Sequence, residues 1–169
     1  MIADFFLTYG TWAVFALFFS LLVACVAGFQ WRGRKIGADL KLLDGRFQYS
    51  PAVAWELFTE LQRRGKLKFY GYTEISLDLL FPFVYVSFFA ILLVHVVPPE
   101  NARWLVWVPV IGGLADLVEN FMIAGMAFTF RGDVPRLAAV SRYFTALKFL
   151  CLSGSLLVIT LGAFRAVCV

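Results

Sequence analysis

The chain is poor in charge, histidine and cysteine, and each shortage excludes a class of protein. Charged residues make up 15% of its 169 residues, against about 25% in an average soluble domain. One histidine and three cysteines without paired spacing provide neither a zinc-ligand set nor a disulfide framework. Phosphate-binding glycine loops and the Gly-x-Ser-x-Gly, His-Glu-x-x-His and Cys-x-x-Cys motifs are also missing. The sequence therefore predicts no metal centre and no cofactor.

Apolar and aromatic side chains are abundant instead. Hydrophobic residues account for 62% of the sequence and aromatic residues for 18%, with 19 phenylalanines. That is more apolar surface than one soluble fold of this size needs to bury. The net charge of +4 does not indicate a nucleic-acid partner, because the basic residues are concentrated in one loop, as membrane topology explains. We therefore expect an integral membrane protein whose first partners are membrane lipids.

Four stretches are long and apolar enough to span a bilayer, which needs about 20 such residues. They lie at about 8–29, 75–97, 104–130 and 143–164. Breaks separate them: Pro98-Pro99 follows the second span, and residues 132–135 (GDVP) separate the third from the fourth. The predicted fold is an all-α four-helix transmembrane bundle that forms a single domain over 1–169.

The distribution of lysine and arginine predicts the orientation. Nine of the 15 basic residues lie between spans one and two, and Arg131, Arg136 and Arg142 follow span three. The opposite side has only Arg103 and Arg165. By the positive-inside rule both basic loops face the cytoplasm and both termini lie outside, in the inner membrane of a bacterium.

A lipoprotein-type cleavage box, residues 22–25 (LVAC), lies inside the first span. A signal peptide has a basic segment before its apolar core, whereas here the preceding residues include Asp4 and no lysine or arginine. Basic residues follow the span instead, at 32–35. We therefore expect a retained membrane helix.

The long basic loop between spans one and two contains local structure. Ser50-Pro51 is a helix start and Gly65 a helix stop, and between them one face is apolar. This predicts an amphipathic cytoplasmic helix over 51–64 in the plane of the interface, either packed as a cap on the bundle or in direct contact with lipid. Alternating residues around Asp44-Gly45 predict a short hairpin over 40–49.

Polar residues recur at helical spacing within three of the spans, where ionisable groups are costly and tend to face the bundle interior. We expect the three stripes to converge on a cavity open to the cytoplasmic leaflet. Asp78, Asp116 and Glu119 are the catalytic candidates. The predicted binding residues are Glu74, Tyr85, Asn120, Thr145, Lys148 and Arg142.

Structural interpretations compete with these roles. Glu74 follows Thr73, a suitable N-cap, so it also fits a helix N-terminal acid. Asp116 or Glu119 with Lys148 fits an ion pair that fixes helix register. Asp78 has no evident partner except Arg142 or Lys148, which makes it the stronger functional candidate.

Three segments carry a resemblance: 77–85 (LDLLFPFVY), 115–120 (ADLVEN) and 145–148 (TALK). In these the chain resembles small four-span bacterial membrane proteins that carry no assigned function. It is also loosely similar to emopamil-binding-like proteins, the sterol-isomerase and sigma-2-receptor type. Those proteins place acidic residues and an asparagine inside a four-helix bundle that holds a lipophilic amine or sterol. The likeness is one of architecture and polarity, and no site residue is transferred from it.

The residues left by these exclusions suit acid–base chemistry, head-group binding or a proton relay. The leading hypothesis is a pocket for a lipophilic molecule with a polar head, in an enzyme acting on lipid or isoprenoid or in a binding protein. One alternative is a non-enzymatic accessory subunit of a larger membrane complex. Another is a small proton-coupled carrier, which would need to act as a homodimer because the chain shows no internal repeat.

Overall fold

The computed structural model describes residues 2–134 and 136–168, with side chains described through Arg165. Pro135 of the predicted chain break and the Cys168 side chain lie outside this description. The described backbone is helical and contains no strand. Its eight helices are α1 (Ile2–Tyr9), α2 (Trp12–Ile36), α3 (Pro51–Arg63), α4 (Leu67–Glu74), α5 (Leu77–Val96), α6 (Pro99–Leu105), α7 (Trp107–Thr129) and α8 (Ala138–Cys168).

Four helical segments are long and apolar enough to cross a membrane, which confirms the predicted all-α bundle of a polytopic membrane protein. They are α2, the α4–α5 pair, the α6–α7 pair and α8. The sequence predicts that the first span ends near residue 29, but α2 continues to Ile36. Arg34 and Lys35 extend it because basic side chains stabilise the last turn of a helix, and Gly37 ends it at φ +140°.

Neighbouring spans run antiparallel, α2 beside α5, α5 beside α7, and α7 beside α8. Glycines allow the closest approaches. A Cβ on Gly112 would lie 2.8 Å from the Cβ of Cys151, and one on Gly113 would lie 2.5 Å from Val86. The Gly-Gly pair in α7 therefore brings α5 and α8 close enough for polar side chains of all three helices to meet.

The amphipathic helix is confirmed as α3, and its apolar face, formed by Ala54, Leu57, Phe58 and Leu61, is buried. Ser50 caps its first turn by accepting a hydrogen bond from the Val53 N–H at 3.3 Å. The buried face joins the core formed by the ends of the spans, which includes Ile123, Met126 and Ala127. Of the two predicted placements of this face, the cap on the bundle is the one observed.

The predicted hairpin over 40–49 is wrong. Residues 37–50, here named the capping segment, form turns without strand pairing. The alternation does not give a strand because the backbone groups bond elsewhere: the Leu43 N–H donates to the Tyr70 hydroxyl at 3.2 Å, and the Leu43 side chain is fully buried. The capping segment therefore lies over the end of the bundle.

Arg64 ties the capping segment to α3 at the surface. Its guanidinium donates to both carboxylate oxygens of Asp39, at 2.9 and 2.7 Å, and to Glu60 at 2.6 Å. The hydrogen bonds from Arg64 hold the pKa of Asp39 at about 2. The Tyr49 side chain points inward, and burial raises its pKa to about 12.

Candidate functional site: a buried charge cluster

Seven charged side chains from four spans and the capping segment meet beneath that segment. We name them the charge cluster: Arg32, Asp44, Glu74, Asp78, Asp116, Glu119 and Lys148. Six of them are buried, and the Asp44 side chain is 13% exposed. The three polar stripes predicted for spans two, three and four lie together here, and α2 and the capping segment add charges of their own.

Arg32 is the centre of one half of the cluster, named here the Arg32 group. It lies near the end of α2, and its guanidinium contacts three carboxylates. Asp78 is in close contact, Asp44 lies at 2.5 Å and Glu74 at 3.4 Å. The guanidinium also lies 5.0 Å from the ring centroid of Phe29, a cation–π distance. Arg32 therefore links α2, α4, α5 and the capping segment.

The partners predicted for Asp78 are wrong. Asp78 pairs with Arg32 and not with Arg142 or Lys148. Arg142 is partly exposed and donates to the hydroxyl of Tyr143 at 3.0 Å. It forms no ion pair within the described residues. Its Nε is nevertheless buried without a hydrogen-bond partner in the described part of the chain, so the binding role of Arg142 stays a prediction.

The position of Glu74 does not fit one of its two predicted roles, that of an acid in the first turn of a helix. It is the last residue of α4 and fully buried, so it does not lie in the first turn of a spanning helix. Thr73 lies inside α4 and donates to the Tyr70 carbonyl at 2.7 Å, so it caps no helix. The interpretation of Glu74 as a helix N-terminal acid is therefore wrong.

Lys148 is the centre of the other half, named here the Lys148 group. Its Nζ lies 2.7 Å from Glu119 and 3.1 Å from Asp116, so it pairs with both carboxylates where one was expected. The Thr145 hydroxyl donates to the second oxygen of Glu119 at 2.6 Å. Lys148 also donates to the backbone carbonyl of Asp44 at 3.3 Å, which connects the Lys148 group to the capping segment.

Asn120 joins α7 to α5 through a carbonyl that Pro82 leaves free. In a helix the carbonyl of Asp78 would accept from the N–H of residue 82, but proline has none. The Asn120 side-chain amide donates to that carbonyl instead, at 2.8 Å. Pro82 leaves the Asp78 carbonyl free and Asn120 binds it, so the two residues together fix the position of Asp78 relative to α7.

We expect Asn120→Leu to destabilise the protein by roughly 1–3 kcal/mol, because it leaves the buried Asp78 carbonyl without a donor. In a Pro82→Ala background the same change should cost less, since alanine at this position restores an N–H to the helix. Thermal unfolding of the four proteins of this double-mutant cycle in detergent measures the coupling. Equal losses in both backgrounds would contradict the assignment.

Several buried polar atoms of the cluster find no hydrogen-bond partner within the described residues. Native proteins pair nearly all such atoms with protein groups or ordered water, so each exception needs an explanation. They include Arg32 Nε and Glu74 Oε2 within the cluster and Asn120 Oδ1, on the side chain that bonds the Asp78 carbonyl. The Tyr85 hydroxyl, from a residue predicted to bind, is also buried, but it interacts with the Asp116 carboxylate and is not counted among them.

The cluster carries more negative than positive formal charge. In the Arg32 group three carboxylates face one guanidinium, which leaves two negative charges. In the Lys148 group two carboxylates face one ammonium, which leaves one. An excess of charge inside a membrane bundle is costly and usually belongs to a site that binds an ion, a proton or a ligand.

An apolar groove lies beside the cluster. It has a volume of about 190 Å³ and runs between α5 and α7, lined among others by Pro82, Val86, Gly113 and Leu117. Pro82 is one turn from Asp78, and Gly113 is about one turn from Asp116. A larger cavity of about 590 Å³ lies at the opposite end of the bundle, beside Glu100 and Trp104, and does not reach these charges.

No family model, no curated protein and no solved structure matches the chain. The resemblance to small four-span bacterial proteins stays a prediction. The function therefore has to be argued from the chemistry of the charge cluster.

Proposed function

We propose that the charge cluster is the polar end of a cytoplasm-facing site for a lipophilic molecule with a polar head group. The observation that carries this proposal is the set of buried polar atoms without partners in the described part of the chain, among them Glu74 Oε2 and Asn120 Oδ1. A purely structural network would be expected to satisfy its members, because an unpaired buried polar group costs about 1–3 kcal/mol. A head group that bonds to these atoms removes that cost.

The apolar part of the molecule would occupy the groove between α5 and α7. Its lining is apolar apart from Ser87, and it begins one turn from Asp78. Ligand sites of this kind combine an apolar wall with a few convergent polar groups. A chain in the groove would place its head at the Asp78–Asn120 contact.

Access would be from the cytoplasmic leaflet of a bacterial inner membrane, with both termini outside. The capping segment lies across this route, and Asp44 attaches it to both halves of the cluster. Its carboxylate pairs with Arg32 and its carbonyl accepts from Lys148. Entry of a head group would therefore require the capping segment to give up these contacts.

In an enzyme, one of Asp78, Asp116 and Glu119 would act as the acid or base on the head group. A general acid or base must lie within hydrogen-bond reach of the atom it serves. Asp78 shares Arg32 with two other carboxylates, whereas Asp116 and Glu119 have Lys148 between only the two of them. Asp78 is therefore the first candidate for contact with a substrate.

A second function, an accessory subunit of a membrane complex, is favoured by one observation. The Lys148–Glu119 contact of 2.7 Å and the Arg32–Asp44 contact of 2.5 Å are close pairings, as in a network that fixes helix register. The carrier has less support, because the far half of the bundle packs as apolar core around Ala90, Leu93 and Val106. A proton path would need polar groups there.

Asp78→Asn tests the leading function. We expect the melting temperature in detergent to stay within a few degrees, because Arg32 keeps Asp44 and Glu74 and the excess negative charge falls by one. Retention of the lipophilic molecule should be lost, as read by native mass spectrometry and lipid extraction of the purified protein.

The matched control is Glu56→Gln, which neutralises an exposed carboxylate on α3 and should retain the molecule. Wild-type protein that carries no lipophilic molecule, or an Asp78→Asn variant that retains it as well as the control, would contradict the proposed function.

A further inference from the structure

The geometry points to a divalent-cation site formed by Asp44, Glu74 and Asp78. This inference rests on the proposed function, because it places an ion at the polar end of the same site. Each residue offers one carboxylate oxygen, and the three oxygens all lie within 4.8 Å of one another. They come from three separate elements, the capping segment, α4 and α5. Closure of the capping segment over the bundle is therefore what assembles the set.

The spacing and chemistry of these oxygens suit a hard cation. Magnesium binds oxygen at about 2.0–2.1 Å and calcium at about 2.3–2.6 Å, so two ligands of one ion are at most about 4–5 Å apart. Carboxylates are the preferred protein ligands of magnesium, calcium and manganese. The sequence predicted no metal centre because it lacks a histidine–cysteine set, and that argument does not apply to an all-oxygen site.

Two buried acceptors without a donor, one on a proposed ligand and one on the residue that bonds the Asp78 carbonyl, are a second indication. Glu74 is fully buried, and its Oε2 finds no donor within the described residues. Asn120 is 1% exposed, its amide nitrogen bonds the Asp78 carbonyl, and its Oδ1 is also without a donor in the described part of the chain. Both atoms are oxygen acceptors, which a cation or its bound water would satisfy.

The charge of the Arg32 group also matches a divalent ion. When all three carboxylates are ionised, they and the one guanidinium leave two negative charges, which one divalent cation neutralises. Arg32 competes with such an ion, because its guanidinium contacts the same three residues. Removing Arg32 should therefore make the three carboxylates more available to a metal ion, and an ion should in turn replace the lost positive charge.

The inference is tested on the full chain in detergent. The protein is first stripped of metal with EDTA, the EDTA is removed, and binding of added Mn²⁺ is followed by electron paramagnetic resonance. We expect one bound Mn²⁺ per chain, displaced by Mg²⁺. Glu74→Gln and Asp78→Asn should each weaken binding at least tenfold, and the Glu56→Gln control should bind as the wild type does. Wild-type protein that binds no Mn²⁺, or binding that survives both site variants, would overturn the site.

Arg32→Gln provides a readout that separates a metal site from an ion-pair network. Its melting temperature should fall in EDTA and recover in Mn²⁺, whereas no recovery would count against the site. The same samples distinguish the two proposals. Wild type that retains a lipophilic molecule but binds no Mn²⁺ overturns the metal site alone. Mn²⁺ binding by protein that carries no lipophilic molecule overturns the proposed function alone.

Discussion

Arg32→Met is expected to destabilise the protein more than any other single substitution in the charge cluster. The variant leaves Asp44, Glu74 and Asp78 without the one cation that contacts all three. Breaking a buried ion pair by removing one partner costs about 3–5 kcal/mol, and here one side chain serves three partners. Thermal unfolding in detergent with EDTA present should show the loss directly.

Arg34→Met is the matched control, because it removes the same charge two residues away from an exposed position on α2. Surface substitutions of this kind usually change stability by less than about 0.5 kcal/mol. Arg32→Lys should fall between the two, since an ammonium keeps the charge but lacks the planar fork of donors that reaches several carboxylates. Equal melting temperatures for Arg32→Met and Arg34→Met would show that the guanidinium does not hold the Arg32 group together.

The same pair of residues shows where sequence reasoning ends. Arg32 and Arg34 belong to one basic run after an apolar helix, a pattern that predicts membrane orientation and treats both residues alike. Only the fold separates them, because Arg32 is 4% exposed and Arg34 is on the surface. The sequence does contain a signal, because Cys25, Gly28 and Arg32 share one helical face. In the structure that face packs on α5, with Gly28 against Leu77.

Local signals were sufficient for the four spans and for α3, but not for the short helices α1, α4 and α6. The spans follow from hydropathy alone, and α3 follows from a cap, an N1 proline and a glycine stop that act within one turn. Asp44 was missed for the opposite reason. Asp44-Gly45 has the composition of a hairpin turn, but the contacts that shape this segment come from Arg32, Tyr70 and Lys148, which are distant in sequence.

The polar stripes predicted which residues lie inside, but not which of them pair. Helical spacing places Asp116, Glu119 and Lys148 on inner faces, and all three are buried there. Pairing depends on the register between helices, which the Gly112 and Gly113 contacts set. The bond from Asn120 to the Asp78 carbonyl needs that register as well, although the free carbonyl could be inferred from Pro82 alone.

Lys148→Met is expected to destabilise the bundle by about 3–5 kcal/mol, because Asp116 and Glu119 both lose their cation inside the membrane bundle. The loss should be partly recovered in Lys148→Met with Glu119→Gln, since neutralising one carboxylate removes part of the unpaired charge. Unfolding of both single variants and the double variant in detergent, as a thermodynamic cycle, measures this coupling. Additive losses would contradict a direct pair.

The comparison of Lys148→Met with Asp78→Asn decides between the two leading functions. Lys148 is the only cation in contact with the carboxylates of its group within the described residues, so its removal should damage the fold. Asp78 is one of three carboxylates around Arg32, and asparagine keeps its volume and its hydrogen-bonding capacity. Stable protein that loses its lipophilic molecule places Asp78 in the binding site. If Asp78→Asn instead unfolds the protein as Lys148→Met does, Asp78 belongs to the structural network, and the accessory subunit becomes the better proposal.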